Sequence, residues 1–348
     1  LDFAMLDNRL TGTIDYYSRT TKDLILLVDV PVPPNLFGQT LVNIGELSNT
    51  GLEAALNYNV VSKEKFSWTA GINLATFKTK VESLTSGDLS FGNGGVLFRA
   101  GMGSPGQNNT NLIRVKEGEE LGQLWGPVQI GVNPNGTPQF KDLNGDGYID
   151  AGNGTNGDAG DRVVIGNTTP RYQYGFRVGA DYKGFDLSVF FQGVGERKIW
   201  GDGQLAIPGY FAKEGAMPQA IAGDYWKPDR TDAFYPRAWN LNGASEGYVM
   251  RTQTKYMLNM AYLRVKNITL GYNIPTNFLS RIKVANARVY VSLENFFTFD
   301  NLRGLPIDPE AISGFSMLGS NSSNYNLCRT GTSNPAFKSA SAGLSIGF

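Results

Sequence analysis

Between Arg171 and Gly195 apolar and polar positions take strict turns. Tyr172, Tyr174, Phe176, Val178, Ala180 and Tyr182 hold every second place, with Gln173, Gly175, Arg177, Gly179 and Asp181 between them. Period-two alternation gives a strand one apolar face and one polar or small face. After Lys183-Gly184 the pattern resumes, with Phe185, Leu187, Val189 and Phe191 set against Asp186, Ser188 and Gln192. A two-residue turn containing Gly predicts an antiparallel hairpin. Each arm runs to roughly ten residues, the length a tilted strand needs to cross a bilayer.

The same alternation predicts about ten strands in all. They cover 9–22, 47–60, a stretch opening at Phe66, 112–116, 121–132, 171–182, 185–195, 256–273, 288–299 and 338–348. In 256–273 the apolar phase slips between Val265 and Ile268, which predicts a bulge. The opening residues, LDFAMLDNRL, read as the run-in to a strand already under way. Connections alternate long and short along the chain. A membrane barrel has that rhythm, with short periplasmic turns at one end and large external loops at the other. Aromatics gather beside the short turns: Tyr58 and Phe66, Tyr182 and Phe185, Tyr272, and the terminal Phe348. They suit an interfacial girdle. The fold class is therefore all-β, a transmembrane antiparallel β-barrel. A sandwich with one core-facing side is the competing architecture. The heavy loops and abrupt start point to the C-terminal portion of a larger barrel over residues 1–348.

Composition narrows the chemistry. No apolar run approaches the length of a transmembrane helix, which leaves barrel strands untouched. The formal net charge is zero, so nucleic acid is not an expected partner. The chain has no His and a single Cys, Cys328, which excludes His-based catalysis, a His/Cys zinc site and an internal disulfide. Asp and Glu are scattered, giving no paired-carboxylate motif, and no enzyme is expected.

One stretch, within the predicted external loop 133–170, carries metal-ligand spacing. Asp142-Leu143-Asn144-Gly145-Asp146-Gly147-Tyr148-Ile149-Asp150 fits the first nine positions of a calcium loop. Side-chain oxygens of Asp142, Asn144 and Asp146 fall on one side of a tight coil. Gly147 permits the turn, the Tyr148 carbonyl points inward, and Asp150 contributes directly or through water. The twelfth position is Asn153 instead of the bidentate Glu of an EF-hand. A closing carboxylate then comes from Asp158 or Asp161. The expected ion is Ca2+ in a structural role, and the alternative is a solvated turn with no ion.

A second predicted external loop, 196–255, is rich in aromatics, among them Trp200, Tyr225, Trp226 and Trp239. Such rings stack on sugars, anchor protein partners, or form a small core for the loop itself. Arg177, Asp181, Glu53, Arg264, Lys266, Arg288 and Glu294 fall on polar faces, where they line a passage, hold a plug or pair across strands.

Several segments together resemble one family. NRLTGTIDYYSRTTKDLIL, NIGELSNTGLEAALNYNV, FKDLNGDGYID followed by DRVVIGNTTPRYQYGF, AYLRVKNITLGYNIP and ARVYVSLENFFTF occur in the order found in SusC/RagA-type TonB-dependent outer-membrane transporters. That resemblance implies a 22-stranded barrel with a plugged lumen. It also implies contact with the TonB complex through an N-terminal part absent from this sequence, and a SusD-like lipoprotein lid. Its substrates are oligosaccharides or peptides, carried across the outer membrane of a Gram-negative bacterium. The spacer 151–160 is longer than the family pattern, which leaves the last calcium ligand open. The terminal Phe348, closing an amphipathic strand, resembles a barrel-insertion signal. The alternative function is a secreted, calcium-stabilised β-sandwich that binds glycans.

Overall fold

The computed structural model describes residues 1–86, 89–90, 96–101, 111–150, 152, 158–201, 219, 222–235, 237, 253–280, 283–311, 329–330 and 335–348. Its frame is a nine-stranded antiparallel sheet in which neighbours in space are neighbours in the chain. The strands are β1 (Asp2–Met5), β2 (Leu10–Thr21), β3 (Glu46–Lys63), β4 (Phe66–Ser83), β5 (Tyr172–Tyr182), β6 (Phe185–Gly195), β7 (Tyr262–Asn273), β8 (Asn286–Asp300) and β9 (Ser339–Gly347). The first residues are thus a strand of their own, turning back through Leu6, Asp7 and Asn8, all at positive φ.

Register follows the alternation. Val178 stands opposite Ala70 on one side and Val189 on the other, and Val189 opposite Ile268. One face therefore carries a continuous apolar field, with Ile14, Leu52, Ile72, Leu74, Leu187, Leu270 and Val291 exposed on it. Among the described residues no second sheet packs on this field, so the sandwich architecture is set aside. The hairpin turn at Lys183 (φ 48°) and Gly184 (φ 91°) is left-handed at both positions, the backbone that matches strand twist. Tyr172 and Tyr174 lie directly over Gly195 and Gly193 on the next strand, where a Cβ would sit 2.1 and 2.3 Å from the rings. Those glycines leave room for the tyrosines.

The predicted bulge is present, with register shifting between Val265 and Asn267. It resets the phase so that Leu263 and Val265 before it, and Ile268 and Leu270 after it, all face the apolar side.

Two predicted wall strands belong elsewhere. Asn111–Lys116 and Gln123–Gly126 lie in a separate four-stranded sheet with Val96–Gly101 and Val163–Asn167, and Gln129–Val132 pairs with Pro138–Phe140. In the main sheet β4 pairs directly with β5. Short strands of this kind alternate as wall strands do, and only their partners reveal which sheet they join. With the whole stretch from β4 to β5 counted as one loop, connections still alternate long and short. Loop strands also include the hairpin Ile25–Asp29 with Gln39–Asn43, and Lys198–Gly201 between Met257–Asn259 and Arg329–Thr330.

The largest core lies outside the wall, among the loops. Leu26, Val28, Ile44, Val81, Leu84, Ile113, Leu124, Ile165, Tyr235 and Tyr256 form one buried cluster. It ties three inter-strand loops to the far end of β4. A second, smaller cluster joins Ile199, Leu258 and Met260 to Leu302 and Leu305.

Candidate functional site

The wall presents two chemically opposite faces. At the short-turn end a row of rings crosses the apolar face: Phe66 meets Tyr182 edge-on at 6.3 Å, and Phe185 lies 4.6 Å from Tyr272. Phe348 follows β9 at the same end and is fully exposed. Strands β5 and β6 have 11 residues each, whereas β3 and β4 have 18. About ten suffice to span a bilayer, so β3 and β4 continue beyond it. There their outer face turns charged, with Lys80 bonded to Glu82 at 2.7 Å and Lys78 to Glu120 at 2.8 Å. Glu120, outside the sheet, also accepts from Arg171 at 2.9 Å. Burial opposes its charge, but these two cations outweigh it and hold the carboxyl below its ordinary range.

The polar face bears Arg177, Asn267, Ser292 and, beside the bulge, Arg264 and Lys266. Arg288 and Asp186 pair across β6–β8 at 2.9 Å. Arg264 is 4% exposed. It donates to Thr298 at 2.9 Å, to Asp308 at 2.5 Å, and to Glu310. Lys266 and the Tyr262 hydroxyl also reach Glu310, each at 3.1 Å. Asp308 accepts backbone N–H bonds from Glu310 at 2.9 Å and from Ala336 at 2.8 Å. Burial raises the Asp308 pKa, yet Arg264 and the two amides prevail and hold it below the usual carboxylate value. Two charges on the wall thus pin Asp308 and Glu310 near the start of the β8–β9 loop, and Asp308 in turn holds Ala336 near its end. Sequence reading placed Arg264 and Lys266 on the polar face but could not name Asp308 or Glu310, which flank Pro309 in an unremarkable turn.

In the acidic stretch the side chains close the coil on itself. Asp142 accepts from the N–H groups of Gly145 (2.6 Å) and Gly147 (2.9 Å). Asp146 accepts from Tyr148 N at 2.8 Å and from the Asn144 amide at 2.9 Å. Asp150 caps Gly152 at 2.8 Å. Asp161 is fully buried, and its two oxygens accept from Leu143 N (2.6 Å) and Asp150 N (3.0 Å). It therefore staples the two ends of the coil from behind. Every side-chain donor here is a hard oxygen, the type calcium takes. Among the described residues no three acidic side chains converge on one point.

The aromatic loop divides. Trp226 is 8% exposed and its backbone N–H donates to the Tyr235 carbonyl at 2.9 Å, while Tyr225 packs against the large loop core. Trp200 sits in Lys198–Gly201 opposite Met257. Trp239 lies outside the described residues. Tyr235 and Tyr256 stack at 6.0 Å with Phe234 edge-on to both, and burial pushes both phenols up.

No family model matches the chain. It is 31% identical over 364 residues to TonB-dependent receptor P3 of Formosa agariphila, covering 100% of this chain and 33% of that protein. Against TonB-dependent receptor SusC of Bacteroides thetaiotaomicron the figures are 28% over 326 residues, 90% and 29%. Among solved structures, the RagAB peptide importer in its closed-closed state superposes with a TM-score of 0.71 at 20% identity, over 100% of this chain and 34% of that one. The chain thus spans 29–34% of the length of these relatives. A chain-order antiparallel sheet, apolar outside and polar inside with its large loops at one end, is a section of transmembrane β-barrel wall. Over its whole length the chain is thus similar to SusC/RagA-type TonB-dependent receptors, and the relatives matched here are named as receptors and importers.

Proposed function

We propose that this chain forms the C-terminal wall and outer loops of a TonB-dependent importer in a Gram-negative outer membrane. It takes up oligosaccharides or peptides together with a SusD-like surface lipoprotein, and it contacts TonB through a part not in this sequence. The reading rests on the unbroken apolar face of the nine strands and on likeness to named TonB-dependent receptors along the whole chain. Lipid covers the apolar face, the polar face lines the lumen, and the joined loops form the surface on which a lipoprotein lid rests. Trp200, Tyr225, Trp226 and Trp239 of loop 196–255 are the residues proposed to serve substrate or partner, Trp226 by supporting the loop. Phe348 presents the terminal aromatic to the assembly machinery.

The test is uptake by cells expressing the receptor that carries this chain, with and without TonB, and affinity purification from their outer membranes. Accumulation of labelled oligosaccharide or peptide only when TonB is present, with a lipoprotein co-purifying, is the expected result. Recovery of the protein free of membrane and soluble without detergent would overturn it.

Structural calcium in the acidic loop is part of the proposal. Asp142, Asn144, Asp146, the Tyr148 carbonyl and Asp150 supply the oxygens, and Asp161 holds the coil that presents them. Binding draws carboxylates now bonded to backbone amides onto a common centre. Asp146→Ala should remove calcium from the purified receptor, read by elemental analysis, and leave barrel assembly intact. Unchanged calcium content would count against the assignment.

A further inference from the structure

A cavity of about 230 Å³ opens in the loop layer beside the loop ends of β7 and β8. Its aromatic wall is Phe234, Tyr235 and Tyr256, its aliphatic floor includes Leu302 and Leu305, and Lys255 and Arg303 border it. Arg303 lies with its guanidinium carbon 3.7 Å from the Phe234 ring centre. Its backbone holds φ 57°, a left-handed conformation that non-glycine residues seldom adopt. The Lys255 ammonium stands 5.4 Å from Phe234 and 5.8 Å from Tyr256.

The charges here do not balance. Asp224 serves Arg230 at 3.0 Å and Arg303 at 3.6 Å. Among the described residues no carboxylate comes within 4.0 Å of the Lys255 ammonium. A half-buried ammonium offset only by Asp224, beyond ion-pair distance and shared with two arginines, is costly unless an anion arrives to meet it. Burial lowers its pKa, which is the mark of that cost. Aromatic faces and an aliphatic floor suit an apolar body behind the anionic group, and the volume admits one such unit and no more.

We propose that this cavity is a subsite for a carboxylate borne on a small apolar or ring-shaped unit, with Lys255 and Arg303 meeting the anion and Phe234 and Leu302 the body. The assignment rests on the importer reading and adds to it the chemistry of one end of the cargo. Two kinds of molecule carry the group, a peptide with a free C-terminus and an acidic sugar.

The experiment is calorimetric binding to the receptor carrying this chain, purified in detergent. N-acetyl-leucyl-leucine is compared with its C-terminal amide, and a glucuronate disaccharide with its neutral glucose counterpart. Lys255→Gln should weaken the carboxylate ligand by about tenfold or more, as expected for a lost charged hydrogen bond, while Lys255→Arg keeps it. Added salt should weaken the same ligand and spare the neutral one. Because Lys255 holds no ion pair among the described residues, Lys255→Gln should reach the outer membrane at the wild-type level. Binding confined to the free peptide acid assigns the site to peptide termini, and binding confined to the glucuronate assigns it to acidic sugars. Equal binding of acid and neutral forms, an unaltered Lys255→Gln, or no binding of either acid overturns the subsite. Energised uptake, measured separately in cells, decides the importer reading: persistence of TonB-dependent uptake alongside a failed binding test leaves that reading standing.

Discussion

Arg264 on β7 and Asp308 in the loop after β8 face each other at 2.5 Å, with side chains 4% and 6% exposed. A buried pair of this kind is weak evidence for net stability, but removing one partner strands the other charge. Arg264→Gln should therefore destabilise the loop by about 3 kcal/mol or more, leaving Asp308 with only its two backbone amides and Glu310 with Lys266 and Tyr262. Hydrogen exchange should show the amides of 301–311 opening while those of β7 and β8 stay protected. Equal protection in wild type and variant would mean that the apolar cluster around Leu302 holds the loop without the ion pair.

The same pair sets a pH window. Asp308 is held below its ordinary value, so its contribution is complete above the unfolded-chain pKa of about 3.9. It shrinks as pH falls from there and vanishes once the folded carboxyl also takes its proton. Exchange of 301–311 should therefore be steady, after correction for intrinsic rates, from neutrality down to about pH 5, and should accelerate only in stronger acid. Asp308→Asn should abolish that acid step. A loop that loosens between pH 6 and 7 would show that another group controls it.

Val189 and Ser188 are adjacent on β6 and point to opposite faces, Val189 beside Val178 and Ile268, Ser188 beside Thr269. Arg at a mid-bilayer lipid-facing position costs about 2–4 kcal/mol, and much less on a lumen face. Val189→Arg should reduce the folded, heat-modifiable species in outer-membrane fractions, while Ser188→Arg should assemble. The reverse ranking would exchange the two faces of the wall.

The wall was legible because its signal is local. Alternation from Tyr172 to Phe191, the Lys183-Gly184 turn and the phase slip at Val265 each depend on residues a few places apart. Partner choice is not local. Nothing in Leu112–Lys116 distinguishes a wall strand from a strand in a loop sheet until Ile113 is seen paired with Arg99 and Leu124. The candidate site shows the same division. The calcium spacing could be read from Asp142 to Asp150, whereas Asp161 as the staple, Asp308 as the partner of Arg264, and Lys255 beside Phe234 depend on contacts that sequence does not announce. Tyr225 looked like a binding residue by type, and it packs against the core that holds the loops together.

Asp161 separates holding the coil from ligating an ion. Its oxygens already accept from Leu143 and Asp150, so both lose a partner when the carboxylate is removed. Each unsatisfied buried N–H costs about 1–3 kcal/mol, which a coil of this size cannot absorb without opening. Asp161→Ala should loosen 142–150 to limited proteolysis whether calcium is present or chelated. Asp146→Ala, by contrast, removes a proposed ligand and only the bonds to Tyr148 and Asn144. Its loop should match chelated wild type and should not respond to added calcium. If saturating calcium restores protection to Asp161→Ala but not to Asp146→Ala, the staple is dispensable once the ion is bound. If neither variant differs from wild type with or without calcium, the coil is a solvated turn and the ion has no part in it.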